Sequence, residues 1–564
     1  MNRAERRRQG KQQTKLGHSG SPAAQALVEE GKRAHQAGRF LQAEQLYRSA
    51  LATAPDHPAA THYLGLLYYR LGRLDEALQL LTAACRLDRA NPLYWFNAGV
   101  VAQRAGKRDD AARAYEQSLA LNPRHLEARV NLGNVLKELG RLDEAERAYE
   151  QVLRTTPGHV ETLNNLGVLY KERGREEQAI ASYNRAIALK PDHAEAHNNL
   201  GLIYMDQGHL DQAIACYERA LQAQPGYLTA TYNLGMAAMW TGAFDRALTC
   251  FRRTAEAKHN HGRPVKETVV YRSRVKHDTE QLDYLLSRRL IGQEFEPYSA
   301  ALKELQRSLD GPAGAGNRLA LTSGTLQAIA PSFNRLVHIA SCERLPDGAI
   351  NPQLEVAAIE GRYHAAKPEV TFADDLLRPQ ALDALRRFCW ESTIWKRDYE
   401  NGYIGAFLGD GFATPLLLQI AEELRSALPK IFGSHPLTQA WAFKQDSARR
   451  GLNIHADAAA VNVNFWITAD EANLNADSGG LVVWNKEAPR DWNFKDYNSD
   501  SNRGTIYDWL RQAGADQVKI PYRSNRAVVF NSDLFHESDD ISFKEGYTNR
   551  RINITLLYGY RHRE

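Results

Sequence analysis

Asn165-Leu166-Gly167, followed by Gly174, Ala179 and Pro191, returns 34 residues later as Asn199-Leu200-Gly201, Gly208, Ala213 and Pro225. Outward from this pair, the first Gly recurs at 31, 65, 99, 133, 167, 201 and 235. The second recurs at 38, 72, 106, 140, 174, 208 and 242, and Ala at 43, 77, 111, 145, 179, 213 and 247. A strict period of this length marks one supersecondary unit copied in series, because such units bury a continuous core only by stacking. The small residues let paired helices approach closely. Pro55, Pro123, Pro157, Pro191 and Pro225 mark the passage to the next copy, while Arg89 interrupts the proline series with Pro92 nearby. The reading is an α-solenoid of seven helix pairs over residues 23–258.

This pattern resembles the tetratricopeptide repeat. Two residues before the first Gly stand Asn97, Asn131, Asn165, Asn199 and Asn233, and Tyr63 takes that place in the second copy. An Asn side chain offers a donor and an acceptor, so such a ladder can pair with an extended backbone without reading its side chains. The resemblance extends to the repeats of O-GlcNAc transferase, where a ladder of this kind holds polypeptide, and it implies a polypeptide partner in the groove. The alternative is that these amides satisfy groups on neighbouring helices.

A chain of 564 residues exceeds what one core supports. The net charge of +4 gives no ground for a nucleic-acid or membrane partner, and no apolar run is long enough for a transmembrane segment. Residues 1–22 read as a basic disordered arm, with six Lys or Arg against one Glu between Met1 and Lys15. The five Cys, at 85, 216, 250, 342 and 389, are scattered and form no Cys-x-x-Cys, which points to a reducing cytoplasm and away from a zinc site. Residues 259–345 read as a helical linker without chemistry: helices over Val275–Ile291 and Ser299–Leu309, then a loop from Asp310 to Asn317.

Residues 346–564 differ in composition, since seven of the nine Trp lie between Trp390 and Trp509. Short apolar runs at Leu437–Lys444, Val461–Thr468, Ser478–Val483, 526–530 and 550–557, joined by Gly, Asn, Asp and Pro turns, read as an antiparallel barrel or jelly roll. Ile454-His455-Ala456-Asp457, taken as a strand, sets an imidazole and a carboxylate on one face. Two His and one carboxylate on one side hold non-haem Fe(II) with positions left open, and His536 is the third candidate. His209-Leu210-Asp211 has the same spacing but falls at a repeat turn and reads as solvated. Along the last strand, alternation puts Arg551, Asn553 and Thr555 on one face and Arg550, Ile552 and Ile554 on the other.

The order His-x-Asp, Gly-Gly-Leu strand, distal His and basic last strand resembles the Fe(II)/2-oxoglutarate-dependent dioxygenases of the prolyl hydroxylase and phytanoyl-CoA hydroxylase type, over about residues 368 to 561. The resemblance implies a double-stranded β-helix (jelly-roll) domain with flanking helices, one in a preamble opening at Phe372 and another over Pro415–Leu428. It further implies that His455, Asp457 and His536 hold Fe(II), that 2-oxoglutarate chelates the metal, and that O2 takes the remaining site, with ascorbate as a supporting reductant. The far carboxylate of 2-oxoglutarate would pair with Arg551, Arg550 being the alternative. Many relatives carry a Tyr on the strand before the metal motif. Here Phe443-Lys444-Gln445-Asp446 stands instead, leaving Gln445 and Asn464 as candidates for co-substrate contact.

The segment Arg490 to Asp516 reads as a candidate lid. By analogy with collagen prolyl 4-hydroxylases and aspartyl/asparaginyl β-hydroxylases, which also join these repeats to an oxygenase domain, the expectation is a polypeptide hydroxylase. A small-molecule oxygenase whose repeats serve assembly, and a non-catalytic interaction scaffold, are the alternatives. A glycosyltransferase would need a paired Rossmann pattern, which the chain lacks.

Overall fold

The computed structural model describes residues 21–260, 269–310, 318–433, 435–446, 448–449, 452–498 and 502–560. Residues 1–20 of the basic arm lie outside the described residues, as does the loop 311–317, and the first helix begins at Pro22. The chain divides into two compact units, Met1–Ile203 and Tyr204–Glu564.

In the first unit, paired helices follow the 34-residue period from Pro22–Gln36 and Phe40–Thr53 to Val160–Glu172 and Glu176–Leu189. The first Gly of several copies is explained by one contact. A Cβ on Gly31, Gly133 or Gly167 would lie 2.5 Å from Cε1 of Tyr47, Tyr149 or Tyr183 on the partner helix, so only hydrogen fits. The second Gly ends the first helix with positive φ, +69° at Gly174, a conformation that L side chains rarely adopt. Several copies also begin on a histidine cap: Nδ1 of His57, His159 and His193 accepts the backbone N–H of Ala60, Thr162 and Ala196.

The second unit opens with the end of Ala194–Asp206 and the helices Leu210–Ala223, Leu228–Trp240 and Phe244–His259, which complete fourteen helices of the repeat series. Leu234 and Phe251 of these helices share one hydrophobic core with Leu385, Phe388, Phe412, Leu417, Ile554 and Tyr558 of the β-rich region. The intervening segment holds helices Arg272–Ser287 and Glu296–Asp310 beside a short pair of strands, Val269–Tyr271 and Arg318–Ala320, around its own core of Val275, Leu282, Leu302, Ile329 and Phe333. It is more than a spacer. Gln281 Nε2 donates to Ser392 O at 2.9 Å and to Tyr547 Oη at 2.8 Å, and Lys444 Nζ donates to Tyr547 Oη and Cys389 O at 3.0 Å. Burial pushes the Lys444 amine well below its usual range, and its two bonds tie the strand to Cys389 and Tyr547.

Among the described residues, the β-rich region holds two main antiparallel sheets and a short pair, Ala448–Arg449 with Ile541–Ser542. The larger runs in the order Val370–Ala373, Ala527–Asn531, Val461–Trp466, Arg551–Tyr558, Leu437–Gln445, Tyr403–Phe407 and Arg397–Asp398. The smaller has Leu481–Glu487 between Gln517–Ile520 and Leu534–Ser538. Trp466, Val528 and Phe530 of the larger pack with Leu481, Val483, Ile520 and Leu534 of the smaller, so the sheets meet face to face. The opposite face of the larger sheet carries Val463, Phe465, Ile552, Ile554 and Leu556 onto helices Pro379–Glu391 and Pro415–Ala427. Phe372, read as part of a helical preamble, instead lies on an edge strand, and the helix begins at Pro379. Strands Tyr403–Phe407 and Arg397–Asp398 had no counterpart in the sequence reading. Among the described residues, no helix is long and apolar enough to cross a membrane.

Candidate metal centre and its cavity

His455 and Asp457 are not on a strand. Residues 452–460 form a loop in which His455 makes one isolated bridge to His536, through N–H to carbonyl bonds of 3.0 and 2.8 Å in the two directions. The strand reading fails because Val461–Trp466, the neighbouring regular strand, starts only after Asp457 has turned. The other side of the loop is held by the segment expected to be a lid. Ala456 N donates to Tyr497 O at 3.1 Å, Asn498 Nδ2 donates to Ala456 O at 2.8 Å, and Arg503 Nη1 donates to Asn453 Oδ1 at 2.9 Å. That segment contains helices Phe494–Tyr497 and Arg503–Gln512, and Tyr497, Ile506 and Leu510 pack on Ile454, Ala456 and Phe535, the neighbours of both histidines. In this structure it is a brace.

The three side chains still converge. One ligand atom each from His455, Asp457 and His536 lie within 4.8 Å of one another. His455 Nε2 is 3.9 Å and His536 Nε2 3.4 Å from the Asp457 carboxylate. His455 Nδ1 donates to Asn453 O at 2.7 Å and His536 Nδ1 to Leu534 O at 3.0 Å. A carbonyl only accepts, so each ring keeps a proton on Nδ1 and turns Nε2 toward Asp457, the outer-shell arrangement that metal-binding imidazoles use. Burial raises the Asp457 carboxyl, but its interaction with His536, the fields of both imidazoles and the Asn462 hydrogen bond outweigh that and hold it below the usual range. The donor set, two imidazoles and a carboxylate on one side of a cavity, fits a first-row divalent ion with positions left open.

The cavity lies between the sheets and is walled by Trp441, Phe443, Leu452 and Leu481, with Asn464, Asn553, Thr555, Ser538 and Arg551 as its further polar lining. Arg551 is 1 % exposed, and its guanidinium donates to Gly479 O at 2.6 Å, Gly480 O at 3.1 Å and Gln445 Oε1 at 2.5 Å. All three acceptors are neutral. Among the described residues no carboxylate pairs with it, and burial lowers it to about 10. The Gly-Gly pair has a physical reason here, since a Cβ on Gly480 would stand 1.9 Å from Ile520 O, so only glycine lets these carbonyls reach Arg551. Arg550 points the other way, to Glu280 at 2.8 Å and Asp446 at 3.5 Å. Gln445 buttresses Arg551 without lining the cavity, and Asn464 lines it.

The five ladder asparagines are all half-buried. In the first unit Asn97 Nδ2 bonds His62 Nε2 at 2.8 Å, Asn165 Nδ2 donates to Asn134 Oδ1 at 3.0 Å, and Asn199 Nδ2 donates to Asn164 Oδ1 at 3.1 Å. One of the two N–H groups of each of these amides is thus used between consecutive repeats, the role that the alternative gave them. Asn131 sits beside Tyr115, and Asn233 lies on Leu228–Trp240 in the second unit.

The family profile described as the Cilia and flagella-associated protein 70 C-terminal domain matches residues 2–203, and the tetratricopeptide repeat profile matches residues 194–227. No curated protein matches the chain. Among solved structures, a tetratricopeptide repeat protein from Parabacteroides merdae ATCC 43184 is similar at 21 % identity and TM-score 0.38, over 43 % of this chain and 95 % of that one. MamA is similar at 22 % and 0.29, over 31 % and 94 %, and YrrB, a repeat protein with an unusual peptide-binding site, at 20 % and 0.29, over 33 % and 95 %. The chain carries tetratricopeptide repeats followed by a β-rich region.

Proposed function

We propose that this chain is an Fe(II)/2-oxoglutarate-dependent hydroxylase acting on a polypeptide held by its repeats. One observation carries the reading: a two-histidine, one-carboxylate cluster and a fully buried arginine, paired with no carboxylate among the described residues, open into the same cavity. A buried cation held only by neutral acceptors calls for an anionic ligand, because desolvating an unpaired charge is costly. Two facing antiparallel sheets around that cavity support a double-stranded β-helix.

His455, Asp457 and His536 would hold the iron, which supplies the redox chemistry that couples decarboxylation of 2-oxoglutarate to hydroxylation of a C–H bond. Arg551 has donors beyond the three it uses and would bind the far carboxylate of the co-substrate, with Gln445 and the Gly479 and Gly480 carbonyls fixing the guanidinium plane. Trp441, Phe443, Leu452 and Leu481 keep bulk water from the site. The repeats would raise the local concentration of the polypeptide at the cavity. Five free cysteines, all buried, suit a reducing cytoplasm.

The test is succinate formation from 2-oxoglutarate by the full chain with Fe(II) and ascorbate under air. Slow uncoupled turnover is expected in wild type and its loss in His455→Ala. Wild type that makes no succinate and takes up neither metal nor co-substrate sinks this reading. It would favour the second one, a protein-interaction scaffold, to which the profile matches over residues 2–203 and 194–227 already point.

A further inference from the structure

We infer that Asn462, Asn464, Asn553 and Thr555 are positioning residues for the Asp457 carboxylate, forming a file of hydrogen bonds whose donors all point toward it. The inference rests on the metal reading above. Asn462 Nδ2 donates to Asp457 Oδ2 at 2.6 Å, and Asn464 Nδ2 donates to Asn462 Oδ1 at 2.8 Å. Asn553 Nδ2 and Thr555 Oγ1 both donate to Asn464 Oδ1 at 2.7 Å, and Asn553 Nδ2 also reaches Thr555 Oγ1 at 3.0 Å.

Each orientation follows from the one before it. An ionised carboxylate only accepts, so Asn462 must present its amide nitrogen, which leaves its oxygen to receive Asn464. Asn464 is thereby turned the same way, and its own oxygen receives the last two donors. The sheet supplies the register: Asn464 stands opposite Thr555 across the pair Val461–Trp466 and Arg551–Tyr558.

The four side chains are 0, 4, 3 and 3 % exposed in the order Asn462, Asn464, Asn553 and Thr555, while the other face of the same strands is apolar. A file of buried amides costs more than an apolar layer unless every member is bonded, and aligned dipoles in a low dielectric strengthen one another. Here the aligned end meets a negative charge. The Asp457 plane is thus fixed before any ion arrives, and changes anywhere along the file reach the carboxylate.

The experiment measures the Co2+ dissociation constant, the visible spectrum of the Co2+-loaded full chain and the melting temperature of the metal-free protein. Asn462→Ala should weaken Co2+ about 10- to 100-fold and shift the spectrum. Thr555→Val, which keeps shape and removes the hydroxyl, should weaken it about 3-fold with little change in melting temperature, and Thr555→Ser should restore wild-type affinity. Wild-type affinity and spectrum in both Asn462→Ala and Thr555→Val, with Co2+ binding abolished in His455→Ala, overturn the inference and leave the metal reading standing. A wild-type chain that binds no Co2+ overturns both.

Discussion

Asparagine has one job in the repeats and another in the sheets. Along the ladder, Asn165 and Asn199 donate to asparagines of the preceding repeat, so the bonds begin and end within the scaffold. In the larger sheet, three asparagines and a threonine form a file that ends on a carboxylate facing two imidazoles. The same side chain therefore closes a structure in one region and directs charge in the other. A buried polar group marks function here by where its chain of bonds terminates, more than by its burial.

The largest effect expected from breaking this contrast is at Arg551. Replacing Arg551 by Met removes the buried guanidinium and should weaken 2-oxoglutarate binding on the order of 100-fold, roughly 3 kcal/mol, with Co2+ uptake retained. Arg550→Met disturbs only the pairs with Glu280 and Asp446 and should leave the co-substrate constant near wild type. Titration calorimetry on both variants decides it. Equal losses would mean that neither arginine is set apart by its partners.

The contrast also bears on what the sequence revealed. The repeats were legible because the two Gly and the Ala recur in all seven copies, the first Gly meeting a partner-helix tyrosine at Gly31, Gly99, Gly133 and Gly167. The strand at 551–558 was legible because alternation separates Arg551, Asn553 and Thr555 from Arg550, Ile552 and Ile554, and the structure seats those sets on opposite faces. The loop that carries His455 and Asp457 was misread because His-x-Asp spacing fits a strand, whereas its shape comes from Tyr497, Asn498 and Arg503, distant in sequence and visible only once folded. Asn464 was legible as a candidate for co-substrate contact, but the direction of the bonds through Asn462 and Asn464 depends on Asp457, five residues before Asn462, and on the facing strand. The burial of Lys444 had no signal at all.

Asp410 sharpens the comparison from the opposite side, as a buried charge that is fully compensated. It is 4 % exposed and lies 3.3 Å from Lys258, 3.4 Å from His259 and 3.3 Å from Arg397. Burial raises its carboxyl, and the bond to His259 with the fields of Lys258 and Arg397 more than reverses this, holding it at about 2. A carboxyl depressed on folding adds stability that is present above its unfolded value near 4 and is lost as pH falls toward about 2. The contribution is roughly 2 kcal/mol. In urea unfolding, the gap between wild type and Asp410→Asn should hold steady above pH 4 and narrow below it. A gap unchanged through that window would show that the cations do not hold this carboxylate.

The smallest effect, and the one that bears most directly on the ladder, is Asn165→Ala. Asn134 Oδ1 keeps the Tyr149 hydroxyl at 2.7 Å after the substitution, so no acceptor is stranded and only one bond between repeats is lost. The expected cost is about 1 kcal/mol, read as a lower urea midpoint for the repeats. The sign matters more than the size. An unchanged midpoint would mean that the Asn165 donor is not committed to the scaffold and stands available to an extended peptide, which would make the ladder and the sheet file alike in pointing their bonds at something the chain does not itself contain.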